Sequence, residues 1–135
     1  MTASVTTLRT DMARSAIDRV DESTNNETAA VTVVLHWDGT DHVGEASGSP
    51  ASTHRPKLIA EATLDALESA GSRGFEAVEA STTTTAGVLV AVVAVADPQN
   101  TSPLIGTAVM PYDNSQLGFA RATLDAVNRR AELPR

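Results

Sequence analysis

Eight residues, Ala60-Glu-Ala-Thr-Leu-Asp-Ala-Leu67, return sixty positions later as Ala120-Arg-Ala-Thr-Leu-Asp-Ala-Val127, with six of the eight identical. The echo extends upstream, where His42-Val-Gly-Glu-Ala46 precedes the first copy and Leu104-Ile-Gly-Thr-Ala108 precedes the second. A repeat at this spacing marks one supersecondary unit used twice, because a single unit cannot bury its own apolar face. The architecture is therefore constrained before any single residue is interpreted. The seam between the two units becomes the first place to look for a binding site.

A chain of 135 residues makes one domain, large enough to bury a core without staples. It has four aromatic residues, so Val, Leu, Ile and Ala must build that core. The net charge of −7 argues against nucleic acid, since phosphate contacts need a basic face. There is no cysteine, which excludes disulfides, thiol nucleophiles and zinc–thiolate sites. The N-terminus lacks the apolar stretch of a signal peptide. The longest apolar run, residues 86–96, falls well short of the roughly 20 residues a membrane helix needs. The chain is expected to be soluble and cytoplasmic, with no membrane partner and no cofactor.

Along the chain, residues 1–29 stand apart. Leu8, Met12, Ile17 and Val20 fall roughly on one helical face, and the polar run 21–28 follows as a linker. A duplicated domain occupies residues 30–135, divided into unit one (30–71) and unit two (72–135). Unit one opens with Val31, Val33 and Leu35 alternating along a strand, turns at Asp38-Gly39 and returns through Val43 to Ser47. A helix over 56–69 follows, with Pro56 in its first turn and Ala60, Thr63, Leu64 and Leu67 as its core stripe. Unit two supplies strands near 75–83, 88–95 and 104–110, then a helix over 115–132. The apolar run Val88 to Val95 is expected to be a central strand buried on both faces. The fold class is α+β: antiparallel sheets built from strand–strand–helix units, with their two helices packed together through the alanines at 60, 62, 66, 120, 122 and 126.

Several residues invite chemistry. His36 and His42 flank the carboxylates of Asp38 and Asp41, which reads as a hairpin turn with polar flanks more readily than as a metal site. His54 and Arg55 sit in the loop before the first helix, where a guanidinium can meet a carboxylate ligand or simply face water. Tyr112 and Asp113 hold the matching loop of unit two, with Asp113 suited to an ammonium group or to helix capping. Asp65 and Asp125 recur identically but lie mid-helix without a nucleophile or histidine nearby, as expected of solvated helix faces. Neither a nucleophile elbow nor a Gly-rich phosphate loop is present, and nothing argues for an enzyme.

The stretch Leu104-Ile-Gly-Thr-Ala-Val109 with Ala120-Arg-Ala-Thr-Leu-Asp-Ala-Val-Asn-Arg129 resembles the closing segment of the C-terminal regulatory domain of 2-isopropylmalate synthases. The strands Phe75 to Thr83 and Val90 to Val95 are similar to those preceding that segment in the family, and the resemblance spans about residues 30–133. It implies a non-catalytic domain that dimerises and binds leucine between its two units, regulating a separate catalytic barrel; citramalate synthases use a related domain for isoleucine. A homodimer is then expected, with a separate synthase catalytic subunit and a small branched-chain amino acid as further partners. Carried onto this sequence, the ligand residues are Gly48, Pro50, Ala108, Pro111 and Asp113. The sequence departs from the family at Ser47-Gly-Ser-Pro50, where six additional residues precede the helix, and at Ala108, which replaces a glycine. A ligand-free interaction or homodimerisation module is the competing expectation. A small enzyme, requiring a deep polar pocket holding His36, His42 or His54, is the third.

Overall fold

The computed structural model describes residues 16–72, 74–99, 101–112 and 115–132. Three strands come first, β1 (Ala16–Thr24), β2 (Ala29–Trp37) and β3 (Thr40–Gly48), then one 3₁₀ turn (Ser52–His54) and helix α1 (Arg55–Ser69). The pattern repeats with β4 (Glu76–Thr85), β5 (Val88–Ala96), β6 (Leu104–Val109) and helix α2 (Ser115–Glu132). Each set of strands forms its own antiparallel sheet, in the orders β1-β2-β3 and β4-β5-β6. The fold is α+β, and the helices touch each other as well as their own sheets. Among the described residues, no helix is long and apolar enough to cross a membrane.

The repeat is fuller than its sequence suggests, because unit one begins at Ala16 rather than Ala30. Residues 16–24 are a strand, not a helix and linker; Leu8 and Met12 of the expected helix lie outside the described residues. The reason lies in a β-bulge between Ile17 and Arg19. The extra residue shifts the alternation by one, so Ile17 opposes Leu35 and Val20 opposes Val33, both on the inner face. Spacing of three residues on one face imitates a helical period. The same bulge recurs in β4 between Ala77 and Glu79, at the sixty-residue offset of the octapeptide. Each unit is therefore a complete β-β-β-α.

The repeated octapeptide is explained by how each helix meets its edge strand. A methyl group on Gly44 would run into the carbonyl oxygen of Ala62 and the amide of Ala66; one on Gly106 would meet the same atoms of Ala122 and Ala126. Helix and strand thus touch backbone to backbone, which only small residues on both sides permit. Ala62, Ala66, Ala122 and Ala126 serve this helix-on-strand contact rather than only a contact of helix on helix. Asp65 and Asp125 are not idle surface charges. Their Oδ2 atoms accept the backbone N–H of Glu45 at 2.9 Å and of Thr107 at 3.0 Å, satisfying donors on edge strands that no further strand pairs. Thr63 and Thr123 are fully buried, and their hydroxyls donate to the carbonyls of Ile59 (2.7 Å) and Phe119 (2.8 Å) one turn earlier.

One core serves both units. Val31, Val33, Leu58 and Ile59 of the first pack in the same cluster as Val93, Val95, Leu104 and Phe119 of the second. Strand β5 is central but buried on one face only: Ala91, Val93 and Val95 point inward, while on the other face Val88 is exposed and Val90, Val92 and Ala94 are only partly covered. Helices cover just one side of each sheet, so a fully apolar strand leaves its alternate residues outside. The hairpin Asp38-Gly39 has φ of 56° and 75°, the two-residue turn expected from its sequence. Its counterpart between β4 and β5 is Ala86-Gly87, with φ of 53° and 77°.

Candidate functional site

The resemblance implied five ligand residues, and the structure distributes four of them over two loop-proximal corners. Gly48 ends β3, with its Cα face turned to Leu58: a Cβ there would stand 3.1 Å from that side chain. Pro50 follows, half-buried, and its carbonyl accepts a long hydrogen bond of 3.4 Å from Nη2 of Arg55. Ala108 lies within β6 opposite Ala91, packed against the core, and Pro111 is half-buried just beyond that strand. Asp113 lies outside the described residues.

Around Gly48 the chain forms an open groove of about 420 Å³. One wall is the start of α1, with His54, Lys57, Leu58 and Glu61; the other is β4 of unit two, at Val78, Glu79 and Ala80. The groove therefore lies at the junction of the two units, where the repeat had directed attention. Its floor is apolar, through Leu58 and the bare backbone of Gly48. Its rim carries both signs of charge, from Lys57 against Glu61 and Glu79, and none of these three forms an ion pair among the described residues. Exposed residue Val78 is the bulged position of β4, so the bulge turns that side chain out toward the groove.

Behind the same helix corner lies a second polar cluster. Glu22, on the inner face of β1 opposite Val31, accepts from Nη1 of Arg55 at 2.6 Å through Oε1 and from Nε2 of Gln116 through Oε2. Side-chain exposure is 16% at Glu22 and 30% at Arg55, so the pair is largely withdrawn from water. Nε of Arg55 is buried without a partner. One carboxylate thus ties together the N-terminal ends of the two helices. Sequence reading missed it because residues 21–28 look like a polar linker; comparing residues 16–24 with 76–85 across the sixty-residue offset would have revealed the strand. In place of a solvated loop, Arg55 occupies this internal bridge.

The histidines are dispersed. His36 and Asp41 form an exposed pair at 2.8 Å beside the first hairpin, His42 stacks obliquely on Trp37 with ring centroids 6.2 Å apart, and His54 lies at the groove. Among the described residues, no group of three or more His, Asp or Glu side chains is placed to hold a metal ion.

The outer faces of the two sheets differ sharply. On the first, β2 residues Thr32, Val34 and His36 are flanked in register by Asp21, Arg19, Glu45 and Asp41. On the second, Val90 is flanked by Thr83 and Val109, and Val92 by Ser81 and Thr107. Val88, Ile105 and Val109 are exposed there at 43%, 45% and 62%. Two copies of one unit have thus diverged into a charged face and one that is mostly apolar, with Glu79 and Glu76 in register with Ala94 and Ala96 at one end.

No family model matches the chain, and no curated protein matches it significantly.

Proposed function

We propose that this chain is a non-catalytic regulatory module of the kind found at the C-terminus of 2-isopropylmalate synthases, taking a small branched-chain amino acid in the groove between α1 and β4. The observation that carries this reading is the chemistry of the groove: an apolar floor of Leu58 and Gly48 beneath a rim bearing a cation and carboxylates. A zwitterion needs that combination. Its carboxylate pairs with Lys57, its ammonium with Glu61 or Glu79, and its alkyl side chain with the floor. The duplicated β-β-β-α architecture supports the resemblance that suggested the reading. A ligand held by residues of both units favours one relative arrangement of them over others, and that population shift is the signal passed to a separate synthase subunit in the cytoplasm.

Thermal denaturation with leucine, isoleucine and valine, using glycine as control, tests the reading. An amino acid present at 100 times its Kd adds about 2.7 kcal/mol to stability. The shift is expected to disappear in Lys57→Met. An unchanged transition with every branched-chain amino acid would rule the reading out.

A second reading is a ligand-free homodimerisation module, favoured by the apolar outer face of the second sheet. Away from Glu76 and Glu79 this face is apolar and is best met by another apolar face, and on a chain of net charge −7 the same face of a second copy is such a surface. The strands of that sheet project roughly 400 Å² per copy, about 800 Å² for a pair. Stable specific interfaces bury about 1,200–2,000 Å², so the dimer through this sheet alone is weak and concentration-dependent. Sedimentation equilibrium is expected to give a dimer that Val92→Lys abolishes; a monomer at all concentrations refutes it.

A further inference from the structure

The bridge through Glu22 is not required by the duplicated fold. The sixty-residue offset places Thr82 where unit one has Glu22, and Pro56 where unit two has Gln116. Neither can supply a charge to this kind of bridge, so the contact belongs to one side of the pseudo-symmetric pair. It joins three elements through one carboxylate: β1 of unit one, the first turn of α1 and the first turn of α2.

Arg55 lies between His54 and Lys57, both of which line the groove, and its second hydrogen bond holds the loop at Pro50. We infer that Glu22 is a positioning residue for the groove: through Arg55 it holds the corner carrying His54, Lys57 and Leu58, and through Gln116 it makes that corner depend on where α2 sits. This inference rests on the groove being the ligand site. A largely buried carboxylate must keep its partners or stay uncompensated, yet Arg55 leaves Nε unsatisfied in the closed arrangement, which lowers the cost of leaving it.

The test uses the full chain and substitutions distant from the groove lining. Amide hydrogen exchange is followed in the first turns of both helices for wild type, Gln116→Ala and Glu22→Gln, alongside calorimetric titration with leucine. Gln116→Ala alters only the far end of the bridge, yet exchange in the first turn of α1 is expected to rise roughly threefold or more, while β2 and β5 amides stay at wild-type rates. Glu22→Gln keeps the shape and loses the charge; it is expected to raise exchange in both helix ends and to weaken leucine binding. The charge-swapped E22R/R55E, in which Gln116 offers its amide oxygen, is expected to restore slow exchange in α1. Acceleration confined to α2 in Gln116→Ala overturns the coupling. Leucine affinity unchanged in Glu22→Gln overturns the positioning role while leaving the groove reading intact. If wild type binds no leucine, the groove reading fails, and the exchange data still decide whether the bridge couples the two helices.

Discussion

Replacing Gly44 by alanine tests the central structural argument, that each helix docks on its edge strand by backbone contact. The added methyl would lie closer than 3.0 Å to the Ala62 carbonyl oxygen and the Ala66 amide. Both obstacles are helix backbone, so no rotamer change relieves them, and α1 would have to retreat on the order of 1 Å to recover van der Waals distance. Overpacking of this kind costs about 1–3 kcal/mol, and rigid obstacles put Gly44→Ala at the upper end. The retreat also stretches the 2.9 Å bond from Glu45 N–H to Asp65, a charge-assisted contact worth about 1.5–3 kcal/mol. With that bond weakened rather than lost, the total is about 3–5 kcal/mol, a large share of the about 5–15 kcal/mol that holds a domain folded. Gly48→Ala is the control: its methyl would meet the end of the Leu58 side chain at 3.1 Å, which rotation relieves, so a loss of about 1 kcal/mol or less is expected. Urea titration followed by the single tryptophan, Trp37, reads both, and at a slope of about 2 kcal/mol/M the Gly44→Ala midpoint should fall by about 1.5–2.5 M. Gly106→Ala should match it, and the double variant should not fold. A Gly44→Ala chain within about 0.5 kcal/mol of wild type, or one more stable than Gly48→Ala, would refute the reasoning.

Ala86 sits at φ 53°, where a side chain costs about 1–2 kcal/mol, so Ala86→Asn, giving an Asn-Gly turn, is expected to raise the melting temperature by several degrees. Asp65→Ala leaves an edge N–H to water and is expected to cost about 1–2 kcal/mol in chemical denaturation, with Asp125→Ala alike. Thr63→Val keeps the buried shape and removes a hydroxyl whose acceptor, the Ile59 carbonyl, has the helix amide as well; the change in midpoint should stay below about 1 kcal/mol.

Most of the fold was legible in local patterns. The helices expected over 56–69 and 115–132, the Asp38-Gly39 hairpin and the strands of unit two follow from periodicity and turn chemistry, properties of short stretches. Strand β1 was not legible, because its bulge set Ile17 and Val20 three apart on one face and its polar end resembled a linker. The burial of β5 on one face was hidden for another reason: composition reports how apolar a strand is, not how many layers cover it. Of the candidate site, Gly48 and the neighbourhood of His54 were visible as a loop at the seam. The groove needed β4, and the bridge needed Glu22 and Gln116, residues that no local signal joins.

What the sequence determined by itself is the duplication, the type of each helix and most strands, and the small residues that let helix and strand touch. These rest on chain-local conformational preferences and on an internal comparison of one half with the other. The tertiary structure alone decided the roles: why Thr63, Asp65, Ala66 and their counterparts Thr123, Asp125 and Ala126 were kept as a set, and which side chains meet across the seam. Contacts between residues as distant as Glu22 and Gln116 depend on the placement of whole elements. The energy that places them is the burial of one shared core, which neither unit contains alone.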